Sequence, residues 1–206
     1  MPIDPALSQS DYQVRLDWGL GGLRRLAPAH VVVIVQPLGL TAHALAAVEN
    51  AAGLDVSTDD DEAAALARAA HETGAHVVAG GLRNAAAVAA HVLQVQRTRA
   101  ERTSISILAA GATDLEGPRF AVEDLLGAGA VVAALGDLGI DHASPDAAVA
   151  GEGFRALGGA VRHLLTASGG GRTLAADGGR EAVLVAAARD AASVVPVLRD
   201  GVFVEA

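Results

Sequence analysis

Two short segments of this sequence carry residues whose types and spacing could do chemistry. The first, Gly80-Gly81-Leu82-Arg83-Asn84, follows an apolar run and precedes a helical pattern. Glycines there let backbone N–H groups approach an anion, and the helix N-terminus adds partial positive charge. Arg83 could pair with a phosphate or a carboxylate. The same residues also suit a plain tight turn with an asparagine cap, and the segment is not a Walker loop because no Lys-Ser/Thr pair follows.

The second segment is acidic and runs from residue 111 to residue 124. It contains Asp114 and Glu116 in a loop, then Glu123 and Asp124 in a predicted helix. Mg²⁺ usually takes one or two carboxylates together with waters and substrate phosphate. A bound Mg²⁺ would polarise a phosphoryl oxygen and orient a water. Ordinary surface charge on a loop and a first helical turn is the alternative interpretation.

Other polar residues give weaker signals. The seven histidines show no short metal-ligand spacing, and His43, just after a core strand, is either functional or an ordinary structural or surface residue. Ser168 lies in a Ser-Gly-Gly-Gly run that lacks the strand–turn–helix context of a nucleophile elbow. The segment 168–171 is therefore predicted to be a flexible break.

Apolar and β-branched runs that end at glycine or proline predict the strands, and longer patterns predict the helices. Strands are predicted at 12–18, 30–35, 76–79, 104–109, 194–198 and 202–204. Helices are predicted at 19–26, 41–52 (with Thr41 as N-cap), 59–73, 84–99, 120–135, 145–166 and 172–189, with a break at 178–179. This alternation predicts an α/β fold with a largely parallel or mixed sheet. Residues 1–11 are predicted to be a loose arm and residues 12–206 a single domain.

The position of a ligand site follows from the order of these elements. In open α/β sheets, ligands bind outside the carboxyl ends of the strands. The segments 36–41, 80–84 and 111–124 each follow a predicted strand. We therefore expect these three segments to converge on one edge of the sheet.

Composition excludes several classes of function. The net charge of −9 argues against nucleic acid and anionic membranes as partners, because both require a basic patch. The absence of cysteine excludes disulfides and thiolate metal sites. No signal peptide or membrane span is evident, so the cytoplasm is the expected location. The core must be built from Ala, Val, Leu and Ile, and the alanine-rich helices predict a homo-oligomer.

Several motifs, taken in order, resemble the 2-phosphosulfolactate phosphatase family. The resemblance extends over most of the chain, from about residue 12 to residue 204. Its most specific part is Glu123-Asp124-Leu125-Leu126-Gly127-Ala128-Gly129-Ala130. The other matching segments are Val14-Arg15-Leu16-Asp17-Trp18-Gly19, Gly81-Leu82-Arg83-Asn84-Ala85 and Val195-Pro196-Val197-Leu198-Arg199-Asp200-Gly201.

The resemblance implies a three-layer α/β/α fold and Mg²⁺-dependent hydrolysis of a small anionic phosphate monoester. The site residues it implies fall into three groups. They are Asp124, Glu123 and Asn84 for catalysis, Gly80, Gly81, Arg83 and Thr41 for phosphate binding, and Asp124 and Glu123 as metal ligands.

Some of the family's polar motifs are missing from this chain. Gln36 stands where the family has an aspartate after the first core strand, and Ala110-Gly111-Ala112 replaces an Ala-Gly-Glu motif. The family's Gly-Glu-Arg and Asn-Gly segments are also absent. Loss of one catalytic acid or base commonly removes about 10²–10⁴-fold of rate. Three hypotheses stay open: an Mg²⁺-dependent phosphatase, an inactive relative that binds an anionic ligand, and an interaction protein.

Overall fold

The computed structural model describes residues 5–114 and 117–206. The strands are β1 (Val14–Trp18), β2 (Val31–Val35), β3 (Leu54–Asp55), β4 (His76–Ala79), β5 (Ile105–Ala109), β6 (Ala112–Asp114), β7 (Gly117–Arg119), β8 (Pro196–Arg199) and β9 (Val202–Glu205). The helices are α1 (Gly19–Arg25), α2 (Leu40–Glu49), α3 (Glu62–Glu72), α4 (Ala85–Arg99), α5 (Val122–Asp137), α6 (Pro145–Leu157), α7 (Val161–Ala167), α8 (Gly169–Ala176) and α9 (Arg180–Ala186).

The described residues form a mixed sheet with the strand order β1-β5-β2-β4-β8-β9-β3. The first four strands in that order are parallel, with Val31 of β2 opposite both His76 of β4 and Ile105 of β5. The last three strands are added antiparallel. The predicted α/β class with a largely parallel or mixed sheet is confirmed.

Strand β2 shows why helices cover both faces of this sheet. All five of its residues are buried. Val31, Val33 and Val35 belong to one hydrophobic core, whereas Val32 and Ile34 belong to the other. Successive side chains of a strand point to opposite faces, so an unbroken apolar run requires a cover on each side. The two cores define the predicted three-layer α/β/α arrangement.

Different helices cover the two faces of the sheet. Helices α1, α2 and α3 cover one face, and their contribution is mostly alanine and leucine. Helices α4, α5, α6, α7 and α9 cover the other face. Within this second layer, Gly129 of α5 lies against the backbone of Ala150 in α6. Small side chains therefore let the helices approach closely, as expected for a core with few aromatic residues.

Two helix starts follow the sequence signals directly. The side chain of Asp61 accepts hydrogen bonds from the backbone N–H groups of Ala63 and Ala64, so it caps α3. Ser144 caps α6 through the N–H of Ala147, with Pro145 in the first turn. Both caps satisfy backbone donors that would otherwise lack an intrahelical partner.

Other local predictions are wrong. Helix α2 begins at Leu40 with Gly39 as N-cap, so Thr41 does not cap it. The predicted helix over 145–166 is interrupted by a 3-10 turn at Gly158–Ala160. Ser168 is not part of a flexible break, because its side chain accepts a hydrogen bond from the N–H of Gly171 and caps α8. A serine cap thus overrides the low helix propensity of the glycines that follow it.

The described part of the predicted arm, residues 5–11, is tied to the domain. The carbonyl oxygen of Ser8 accepts a 2.8 Å hydrogen bond from the N–H of Ala27. The Gln9 side chain also donates to the carbonyl of Leu16 at 2.9 Å. No helix in the described part of the chain has both the length and the apolar character needed to cross a bilayer.

Candidate ligand-binding site

The three segments that follow β2, β4 and β5 lie at the same edge of the sheet, as predicted. The Thr41 hydroxyl links two of them: it accepts a hydrogen bond from the N–H of Gln36 at 2.9 Å and lies 3.2 Å from the carbonyl oxygen of Gly80. The third segment leads into α5, and α5 packs directly against the segment after β2. The approach is so close that a Cβ atom added to Gly127 would lie 2.7 Å from Pro37 Cγ. Parallel neighbouring strands bring these segments together.

Asn84, predicted to be catalytic, is completely buried and holds backbone segments together. Its Oδ1 accepts a 3.1 Å hydrogen bond from the N–H of Gly81. Its Nδ2 donates to the carbonyls of Ala79 at 3.2 Å and Val194 at 3.3 Å. The side chain therefore connects β4, the glycine turn and the segment before β8.

Arg83, predicted to bind phosphate, forms an ion pair within the protein. Its guanidinium contacts Glu49 at the end of α2, with a shortest N–O distance of 2.9 Å. The Nε atom of Arg83 is buried and has no hydrogen-bond partner in the described structure. The ion pair holds the turn after β4 to α2, so this charge is already neutralised within the fold.

Glu123 and Asp124 lie side by side in the first turn of α5 but are held by different loops. Asp124 Oδ2 accepts a 2.8 Å hydrogen bond from the N–H of Gly111, just after β5. Glu123 Oε1 accepts a 3.1 Å hydrogen bond from the N–H of Gly170 in α8. Both residues are buried, with Asp124 2% exposed and Glu123 6% exposed. They thus tie two glycine-rich segments to α5, and Glu116 lies outside the described residues.

Burial raises the pKa of Asp124 well above its usual range, and the nearby charge of Glu123 raises it further. The hydrogen bond from Gly111 acts in the opposite direction but does not compensate. A desolvated carboxyl group favours its neutral form. Asp124 is therefore able to hold a proton at a pH where an exposed aspartate would be ionised.

Replacing Asp124 by asparagine is expected to flatten the pH dependence of stability. The folded protein binds a proton at Asp124 that the unfolded chain loses above pH 3.8, so wild-type stability falls as the pH rises through the raised pKa. Asparagine keeps a neutral acceptor for Gly111 and does not titrate. Chemical denaturation of both proteins between about pH 4 and pH 8 measures this difference. If the stability of the two proteins changed with pH in the same way, the raised pKa of Asp124 would be contradicted.

These carboxyl groups fit a hydrated Mg²⁺ poorly. Mg²⁺ keeps several waters in an octahedral shell and needs room for them. Glu123 and Asp124 are both buried and line none of the cavities described below. Within residues 5–114 and 117–206, no three Asp, Glu, His or Cys side chains are grouped to hold a metal ion. The environment of Glu123 and Asp124 therefore does not fit the metal-ligand role predicted for them.

A cavity of about 540 Å³ opens next to these carboxyl groups, at the carboxyl ends of β1 and β5. Trp18 ends β1 and lines the cavity, and Phe120 packs against it with the two ring centroids 5.1 Å apart. Gly111 forms part of the floor, and its φ of +81° favours glycine. Because the N–H of Gly111 bonds Asp124, the cavity wall is directly connected to the acidic pair. A second cavity, of about 530 Å³, lies among α4, α5 and α6, away from the strand ends.

Arg119 is the charged residue of this cavity that the sequence analysis missed. Arg119 lines the cavity, and its guanidinium has no hydrogen bond or ion pair with another described residue. It lies beside α8, since a side-chain carbon placed on Gly169 would be 2.9 Å from its NH2 atom. The signal in the sequence was the single tryptophan at a strand end and the Arg119-Phe120 pair after the acidic loop.

Two histidines form a pair elsewhere in the fold. The Nε2 atoms of His76 and His91 are 2.8 Å apart. His76 is the first residue of β4, so the pair lies at the amino end of that strand. It therefore takes no part in the cavity at the carboxyl edge.

The fold and site define an α/β protein with an open cavity at the carboxyl ends of its parallel strands. The sequence model of the family described as 2-phosphosulpholactate phosphatase matches residues 56–201. The chain therefore belongs to that family. The match includes α5 with its acidic pair, Arg119 and the turn after β4, whereas β1 and β2 lie before it. No curated protein matches the chain.

Proposed function

We propose that this protein binds a small anionic phosphate ester in the cavity at the carboxyl ends of β1 and β5. The supporting observation is Arg119, which lines the cavity and whose guanidinium has no ion-pair partner among the described residues. A planar guanidinium presents paired N–H donors that match phosphate oxygens. Membership of a phosphatase family supports a phosphate ester as the ligand.

The other arginine of the cavity, Arg25, is engaged in an ion pair, which leaves Arg119 as the anion-binding group. Arg25 donates to both oxygens of Asp17, at 2.6 and 3.0 Å. Glu62 accepts a hydrogen bond from the hydroxyl of Thr113. Asp60 and Glu62 are acidic and also line the cavity. Arg119 is therefore the group of the cavity best suited to hold an anion.

Replacing Arg119 by alanine is expected to weaken the binding of inorganic phosphate about tenfold or more. A hydrogen bond to a charged group contributes about 1.5–3 kcal/mol, and about 1.4 kcal/mol corresponds to a factor of ten in affinity. Isothermal titration calorimetry measures the change. Arg180→Ala is the matched control, because Arg180 is an exposed arginine that lines no cavity described here. Equal affinities for the two variants would contradict the proposed site.

The second candidate function is hydrolysis of the ester, and the raised pKa of Asp124 is the observation that favours it. A protonated carboxyl group can donate a proton to the departing oxygen of an alcohol, and Asp124 is connected to the cavity wall through its hydrogen bond with the N–H of Gly111. Hydrolysis of a phosphate monoester, assayed with Mg²⁺ and with a chelator, separates the two candidates. Mg²⁺-dependent turnover that Asp124→Asn abolishes would establish a phosphatase. Ligand binding without turnover would establish a binding protein. The homo-oligomer and the cytoplasmic location stay predictions.

A further inference from the structure

The walls of the cavity are aromatic in a protein with very few aromatic residues. Aromatic residues make up only 2% of the sequence. Nevertheless Trp18 and Phe120 both line this cavity, with their ring planes inclined by 50°. Phe120 is 55% exposed, so much of its ring faces water. An apolar surface left open at the mouth of a cavity is typical of a ligand-binding site.

The size of the cavity exceeds the need of a phosphate group alone. Its volume of about 540 Å³ lies within the range of about 300–1,000 Å³ that is usual for sites holding drug-sized ligands. Leu20 of α1 and Ala65 of α3 add to the apolar lining of the cavity. The ligand therefore has room for a substantial apolar group beside its phosphate.

We propose that the ligand is a phosphate monoester whose alcohol part is a flat aromatic ring. The phosphate contacts Arg119, and the ring packs against Trp18 and Phe120. This inference rests on the proposed function, because it concerns the same cavity and the same anion-binding arginine. Aromatic pairs favour offset or tilted contacts, a geometry that the inclined walls of the cavity accommodate.

Phenyl phosphate is expected to bind about tenfold tighter than glycerol 3-phosphate, since ring packing adds to the shared phosphate contact. Calorimetry measures both affinities and that of inorganic phosphate. Trp18 is the only tryptophan of the chain, so a change in its fluorescence reports binding at this cavity. Phe120→Ala is expected to remove most of the preference for the phenyl ester over glycerol 3-phosphate.

The Phe120→Ala variant is expected to keep the fold of the wild type. Phe120 lies outside the two hydrophobic cores, and its replacement leaves no cavity inside them. Leu138→Ala is the control, because Leu138 is another exposed apolar residue and lies away from this cavity. Circular dichroism of each variant confirms the fold before titration.

The possible results distinguish this inference from the proposed function. If the wild type binds the phenyl and glycerol esters equally, the inference is overturned and the proposed function stands. A preference that persists unchanged in Phe120→Ala also overturns it. If calorimetry detects no binding of inorganic phosphate or of either ester, both proposals are overturned.

Discussion

Replacing Gly129 by alanine is expected to lower the free energy of unfolding by about 2–3 kcal/mol, because the new methyl group overpacks a closed interface. The added carbon would lie 2.3 Å from the carbonyl oxygen of Ala150 and 2.9 Å from Phe154 Cβ. The obstacle is the backbone of α6, which cannot rotate away as a side chain can. Helices α5 and α6 must separate to admit the methyl group, and the core between them loses contacts.

Gly153→Ala provides the matched control within the same pair of helices. A side-chain carbon placed on Gly153 meets no described atom within 4 Å, apart from its chain neighbours and its own helix. Alanine there should raise the free energy of unfolding by about 0.5–1 kcal/mol, because glycine loses more conformational entropy in a helix. Urea denaturation of the three proteins measures both effects. If both substitutions changed the free energy of unfolding in the same direction, helix propensity rather than the close approach of α5 and α6 would explain the effect at Gly129.

Replacing Asn84 by alanine is expected to cost about 3 kcal/mol of stability, since buried polar groups without partners each cost about 1–3 kcal/mol. The substitution leaves the N–H of Gly81 and the carbonyls of Ala79 and Val194 without their side-chain partner. Denaturation midpoints measure the loss. Asn50→Ala is the control: its side chain bonds the carbonyl of Ala46 at the exposed end of α2, so a change within about 0.5 kcal/mol is expected.

Asn84→Asp tests the direction of these hydrogen bonds. Aspartate keeps an acceptor for the N–H of Gly81 but presents its second oxygen to two carbonyl groups. We expect the Asn84→Asp variant to be strongly destabilised at neutral pH. Its stability should be partly restored in acid, where the carboxyl group is protonated. If Asn84→Ala were as stable as the wild type, the structural role would be wrong, and the catalytic role first predicted for Asn84 would be the one to pursue.

Much of the sheet could be predicted because local pattern and tertiary packing agree there. The run from Val31 to Val35 contains only β-branched residues, and Pro37 and Gly39 follow it and end the strand. Such a run has one stable placement, as a central strand buried on both faces. The predicted convergence of the segments after β2, β4 and β5 followed from this, because parallel strands end at a common edge.

The partners of the site residues could not be predicted in the same way. The sequence alone determined a family, an α/β sheet and the edge at which three loop segments meet. Only the tertiary structure showed that Arg83 is neutralised by Glu49 and that Asn84 bonds Val194. It also brought Trp18 against Phe120. Strand and helix patterns depend on neighbours along the chain, whereas these contacts join residues far apart in sequence, so their partners were decided by how the layers pack.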